Sequence, residues 1–376
     1  MLIISLLKMS NTKIYCAEKI FTGYEMLQQH AIVVKDNVIE DIIPANKIHS
    51  GSEVSDFKNA IIAPAFIDLQ LYGAHKRLLS VCPDAETVKA IYDYCKAGGA
   101  SHCMPTVSTN TYEVIFKCID AVRDYWKQNG KGVLGLHVEG PWISKEKRGA
   151  HNADWIFSPT IEQAKELLEY GKDVIKIITV APEVVSEEIV DLIHSYNIVV
   201  SAGHTNATYE QATQSFKKIR TATHLYNAMS GLQHRSPNMV GAIFDHDKVF
   251  CSIVPDGYHV DFAAIRIAKK IMGERLFAIT DAVTETHEGY YQHILEGDKY
   301  TANGILSGSA LTMGKCAKNF VEHCNIKIDE ALRMGSLYPA QVIKKENELG
   351  TIAKGKKTNM VVLDNTFNVL EMVTSY

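Results

Sequence analysis

The sequence predicts an α/β fold, a (β/α)8 barrel carrying a small β-sandwich domain built from both chain ends. Three observations predict it. Eight apolar, β-rich runs recur between Ile61 and Asp281, each closing on a polar or turn residue. Stretches with helical spacing separate most of them. The two chain ends share a different texture, short alternating runs divided by turn residues.

The chain opens with the small domain. IYCAEKIFTG from Ile14, HAIVVKDNVIEDIIPA from His30 and the stretch around Val54 read as short strands, and LGTIAKGKKTNMVVLDNTFNVLEMV from Leu349 adds two or three more. Residues 1–60 and 345–376 are expected to pair into one β-sandwich, leaving 61–344 as the barrel. The barrel runs are IIAPAFIDLQ (61–70), HCMPTVS (102–108), VLGLHVE (133–139), IKIITVAPE (175–183), NIVVSAGH (197–204), TATH (221–224), FCSIVPDG (250–257) and LFAITD (276–281). Helical spacing marks the stretches from Asp84, Thr111, Ile161 and Phe262. Alternating strands and helices imply parallel pairing with right-handed crossovers. Eight such units favour a closed barrel over a doubly wound open sheet, because closure buries every strand and leaves no edge.

With 376 residues, 46% of them hydrophobic, the chain has material for a sizeable core. A net charge of -4 with interspersed signs offers no basic stripe for a nucleic-acid backbone. The eight cysteines lack CxxC spacing and read as free thiols of a reducing compartment. The opening MLIISLLK has too short an apolar run, and no small-residue cleavage site after it, to read as a secretory signal. No later run nears the roughly 18 apolar residues of a membrane span. The expectation is a cytoplasmic protein with no nucleic-acid or membrane partner, starting at Met1 or Met9.

Barrel chemistry sits at the carboxyl ends of the strands. The candidates there are Gln70, Glu139, His204, His224 and Asp281, with His259 just beyond the seventh strand. Singly, each has an ordinary structural explanation; together at one rim they do not. One Glu and two His suit a catalytic divalent metal such as zinc, since three protein ligands leave a position open for water. Such a metal lowers the pKa of a coordinated water towards about 7 and polarises a carbonyl. A nearby carboxylate must then accept the proton and return it to a departing amine, and Asp281 is the candidate.

The segments APAFIDLQLYG, LGLHVEGPWIS followed by RGAHN, SAGHTNATYEQA, ATHLYNAM, PDGYHVD, ITDA and LSGSALTM occur in this order. In them, and over nearly its whole length, the chain resembles the N-acetylglucosamine-6-phosphate deacetylases of the amidohydrolase superfamily. The resemblance implies Glu139, His204 and His224 as metal ligands and Asp281 as general acid/base, in agreement with the strand-end reading. It further implies that Ala150, His151, Asn227, Ala228, Leu306, Ser307 and Gly308 contact the sugar and its acetamide. His259 and Arg235 would also bind substrate, Arg235 being supplied by the neighbouring subunit of a homodimer or dimer of dimers; a guanidinium forks well onto phosphate oxygens. The implied activity is hydrolysis of the acetamide of N-acetylglucosamine 6-phosphate in amino sugar catabolism, with zinc, or iron, manganese or cobalt, and no organic cofactor.

Two departures stand out. Many amidohydrolases carry an HxH pair on the first barrel strand for a second metal, whereas this chain has Gln70, Leu71 and Tyr72, so one metal per subunit is expected. After Asp281, VTETHEGYY replaces the Ala-rich stretch common in relatives. The rival readings are the same fold acting on another amide, such as a cyclic ureide or N-acyl amino acid, and a non-catalytic sugar-phosphate sensor. Arg235 and His259 argue against the first, and Asp281 against the second, since a sensor needs no proton shuttle.

Overall fold

The computed structural model describes residues 12–376; the opening octapeptide and the choice between Met1 and Met9 lie outside them. Eight parallel strands follow one another around a barrel in chain order: Phe66–Leu71, Ala100–Ser108, Leu136–Glu139, Ile175–Val180, Val199–Ala202, Thr221–Ala222, Phe250–Ile253 and Leu276–Ala278. The ring closes beyond the last strand, where Asp281 N donates to Gln70 O (2.9 Å) and Tyr72 N to Ala282 O (2.8 Å). Their residues are almost all buried, as parallel strands covered by helices must be.

A helix follows every strand. The four expected from spacing are present as Ala85–Ala97, Tyr112–Lys127, Ile161–Gly171 and Phe262–Met272. Their starts are chemically marked: Asp84, Thr111, Thr160 and Asp261 each accept a backbone N–H of the first turn, and Thr160 completes a reciprocal box with Gln163.

The run expected as a single strand over 61–70 is two. Val54–Pro64 lies between Thr12–Phe21 and Asn359–Asp364 in the small domain, and the barrel begins only at Phe66, after Ala65. The passage from the small sheet to the barrel sheet thus falls about Ala65. Residues 60–64 and 66–71 are buried on both faces, so no alternation of polarity marks the passage between them.

The small domain is one seven-stranded sheet, ordered Val369–Thr374, Asn359–Asp364, Val54–Pro64, Thr12–Phe21, His30–Lys35, Val38–Pro44, with Met26–Gln28 beside Thr12–Phe21. It folds over on itself: Ile39 on the far strand exchanges backbone bonds with Gly355 and Lys356, which lead into Asn359–Asp364. Ile20, Ile32, Ile39, Ile62, Met360 and Val362 pack inside the fold.

A second difference follows Asp281. The chain makes an excursion of three antiparallel strands, His293–Glu296, Lys299–Ala302 and Ile305–Ser309, before the last barrel helix, Met313–Cys324. The eight cysteines are all free, six of them buried, and no helix among the described residues is long and apolar enough to cross a membrane.

Phe66 opens the first barrel strand fully buried, and Gly99 and Gly335 approach its ring so closely that a Cβ on either would stand 2.8–3.1 Å from it. Phe66→Ala should destabilise the chain by about 3–5 kcal/mol in urea unfolding, since the glycine backbones cannot move in to fill the space. A loss below about 1 kcal/mol would mean that the site collapses freely.

Candidate active site

The strand ends deliver their polar residues to one mouth. Glu139 ends the third strand, His204 and His224 lie two residues beyond the fifth and sixth, and Asp281 lies three beyond the eighth. His204, His224 and Asp281 have φ of 46°, 39° and 54°, the left-handed region that non-glycine residues rarely adopt. Each such residue stores about 1–2 kcal/mol of strain, tolerated where a turn must aim a side chain.

Glu139 sits at the centre, 1% exposed. Its Oε1 is 3.1 Å from His224 Nε2 and 3.4 Å from His204 Nε2, and the two Nε2 atoms are 3.1 Å apart. His204 Nδ1 lies 2.9 Å from the carbonyl of Lys147, which only accepts, so Nδ1 carries the proton and Nε2 presents a lone pair. One ligand atom from each of the three residues lies within 4.8 Å of the others, a donor set that fits one divalent ion. The orphaned Nδ1 of His224, which has no partner among the described residues, leaves the Nε2 side to hold that ring.

Tyr72 and Gln70 meet Glu139 as donors. Tyr72 donates to Oε2 (2.6 Å), and Gln70 Nε2 donates to Oε1 (3.0 Å) and to Asp281 Oδ1 (2.8 Å). Hydrogen-bond donors thus occupy the positions where an HxH pair would offer lone pairs to a second ion.

These contacts set the charges. Burial pushes Glu139 up, but His204 and the bonds from His151, His204 and His224 outweigh it and hold the carboxyl well below its usual range. Burial raises Asp281, with His224 only partly opposing, which keeps it above an ordinary carboxylate and suits a group that must take and return a proton. Burial, then the charge of His151, pushes His204 down to about 4 and keeps its imidazole neutral.

The cavity above this cluster is lined by Ala150, His151, Asn227, Ala228, His259, Leu306, Ser307 and Gly308, besides Glu139, His204, His224 and Asp281. His151 places Nε2 3.3 Å from Glu139 Oε2 and Nδ1 2.7 Å from Thr109 Oγ1. His259 donates from Nδ1 to Asp256 Oδ2 (2.6 Å). Arg235 stands apart, exposed on the loop that Gln233 and Ser236 close, and is not among the lining residues. The lining also includes Leu78, Val283, Tyr291 and His293, which the sequence reading did not single out. Tyr291 donates to Thr109 O (2.6 Å), tying the excursion to the second strand's end. Val283 and Tyr291 fall in VTETHEGYY, the departing segment after Asp281, whereas no local signal marks His293, which opens the first strand of the excursion.

Residues 61–375 match the amidohydrolase family, and residues 16–62 match the NagA composite domain. The chain belongs to the amidohydrolase family. Its relatives include the N-acetylglucosamine-6-phosphate deacetylase of Haemophilus influenzae, 35% identical over 95% of this chain and 96% of the relative. The crystal structure of N-acetylglucosamine-6-phosphate deacetylase from Pasteurella multocida superimposes with a TM-score of 0.91 at 32% identity, covering 96% and 98% of the two chains. An N-acetylgalactosamine-6-phosphate deacetylase of Escherichia coli O157:H7 is 27% identical over 96% of this chain and 97% of its own. Amidohydrolase membership makes this chain a metal-dependent hydrolase of an amide bond.

Beneath the cluster of Glu139, His204 and His224, His137 donates from Nδ1 to Leu69 O (3.1 Å), and its Nε2 meets Thr179 Oγ1 (2.7 Å). Burial pushes its pKa down to about 4. In the unfolded chain a histidine titrates near about 6.5. The folded value is depressed, so unfolding takes up a proton, and this stability is present above pH 6.5 and lost as pH falls towards about 4. The melting temperature should fall through that window, and His137→Asn should flatten the fall; an unchanged slope would remove His137 as its source.

Proposed function

We propose that this amidohydrolase is an N-acetylglucosamine-6-phosphate deacetylase, releasing acetate and glucosamine 6-phosphate. The observation that carries the reading is the buried Glu139, His204 and His224 cluster with Asp281 hydrogen-bonded beside it through Gln70, in a chain 35% identical to a deacetylase of that name.

Glu139, His204 and His224 would hold one divalent ion, zinc being our choice over iron, manganese or cobalt; when bound it supplies Lewis acidity and a water acidic enough to react near neutral pH. Asp281 takes the proton of the attacking water at its carboxylate and returns it to the sugar nitrogen, which leaves as a neutral amine. Gln70 Nε2, 2.8 Å from Asp281 Oδ1, orients that carboxylate. His151 faces the carbonyl oxygen and stabilises the charge it gains. Asn227, Ala228, Ala150 and the Leu306–Gly308 turn position the sugar and its acetamide. His259, steadied by Asp256, and Arg235 of a partner subunit in a homodimer bind the anionic end. The setting is the cytoplasm and the role amino sugar catabolism. No organic cofactor takes part.

The test follows acetate release from N-acetylglucosamine 6-phosphate, its galacto epimer and unphosphorylated N-acetylglucosamine, with and without chelator. Chelator-sensitive release preferring the first substrate is expected; a preference for the epimer, or no release after reloading with divalent metals, would move the assignment to another amide. Asp281→Asn should abolish turnover with metal content near one equivalent per chain, while His204→Ala should lose the metal. Loss of metal from Asp281→Asn as well would make Asp281 structural.

A further inference from the structure

Asp68 is a carboxylate the mechanism above does not use. It is 1% exposed and lies on the first strand two residues before Gln70. The donors that meet it are neutral. Oδ1 accepts from Gln70 N (3.3 Å) and Thr280 N (3.2 Å), and Oδ2 accepts the hydroxyl of Thr280 at 2.5 Å. Burying a carboxylate without a cation is unfavourable, so its retention needs a local reason.

The reason lies in the strand geometry. Between Asp68 and Leu71 the register against the second strand slips: Asp68 faces Cys103 and Leu71 faces Pro105, so three steps on one strand span two on the other. Such a bulge takes a backbone N–H out of the ladder and re-aims a side chain. Here Leu71 N turns to Thr106 Oγ1 (3.2 Å) on the second strand, and the neighbouring Gln70 N donates to Asp68 Oδ1. The same oxygen receives Thr280 N, on the residue preceding Asp281. One carboxylate therefore joins the two backbone segments that carry Gln70 and Asp281, whose side chains meet at 2.8 Å. Asp281 N in turn donates to Gln70 O (2.9 Å), and Asp281 itself sits at a φ of 54°, which needs restraint on both sides.

We infer that Asp68 is a positioning residue, acting through the Thr280 hydroxyl and backbone to hold Asp281 against Gln70 in the geometry that proton transfer requires. The inference rests on the assignment of Asp281 as the proton shuttle. Burial raises the Asp68 carboxyl to about 7, with the Thr280 and Gln70 bonds opposing, so the bond to Thr280 is worth most while Asp68 keeps its charge.

The decisive comparison is Thr280→Val against Thr280→Ser, with Asp68→Asn beside them. Valine keeps the side-chain shape and the backbone bond but removes the hydroxyl; serine restores it. Thr280→Val and Asp68→Asn should lower kcat by about 10–100-fold, the range expected of a carboxylate displaced by under about 1 Å, with KM within about threefold and metal content unchanged. Thr280→Ser should turn over within about threefold of the parent, because it retains the donor. Should Asp68→Asn fail to fold, the Thr280 pair decides alone. Parent-like kcat in Thr280→Val, or a parallel loss of kcat and thermal stability that serine does not rescue, overturns the inference. The crystal structure of Thr280→Val gives a readout independent of turnover: Asp281 Oδ1 should leave its contact with Gln70 Nε2. An unmoved Asp281 refutes the positioning role whichever amide the protein hydrolyses, whereas failure of acetate release in the parent tells only against the substrate.

Discussion

Closing a parallel sheet into a barrel requires the last strand to bond to the first, and in this chain that seam is narrow. Two backbone bonds, Asp281 N to Gln70 O and Tyr72 N to Ala282 O, carry it at the mouth. The eighth strand is only Leu276–Ala278, so the closing bonds are made by the turn beyond it, where Asp281 lies. The seam therefore both completes the barrel and places a buried carboxylate beside Gln70. Ser309 N, returning from the excursion, bonds Asp281 O at 2.8 Å, which makes the turn a meeting point of three chain segments.

Around this seam the site is a problem of charge burial. Glu139 and Asp281 are both nearly inaccessible, and two carboxylates in one low-dielectric space need positive or hydrogen-bonding neighbours. The cluster resolves this asymmetrically. Three imidazoles, those of His151, His204 and His224, meet Glu139 and stabilise its charge, while burial keeps Asp281 the more basic group. The carboxylate proposed as ligand and the one proposed as proton carrier are thus distinguished by their neighbours, although both lie at strand ends. The imidazoles around Glu139 supply the asymmetry, since Gln70 and Tyr72 donate to both carboxylates.

Much of this was legible in the linear sequence, and the losses have identifiable causes. The eight barrel runs and the four helices read from spacing were recoverable because parallel strands are apolar throughout and helix starts carry capping residues. The division of 61–70 was not, because a continuous apolar run contains no mark of where one buried strand hands over to another. The three-stranded excursion was missed for a different reason. Its strands are short and half-exposed, and antiparallel partners define them more than composition does. With it went His293, a cavity residue whose position depends on a sheet the local pattern does not announce.

By itself the sequence determined the residue types and their order: apolar runs long enough for eight strands, polar residues at their ends, and a Glu, His, His and Asp set of types suited to metal and proton chemistry. Those are local properties, set by side-chain chemistry and spacing along the chain. Only the tertiary structure decided which of these residues share a point in space, that Gln70 and Tyr72 face the carboxylates as donors, that Arg235 stays outside the cavity and that Asp68 spans the seam. The reason is physical: barrel closure joins residues 211 positions apart, Gln70 with Asp281, through backbone bonds and a bulge whose geometry is set by all eight strands at once.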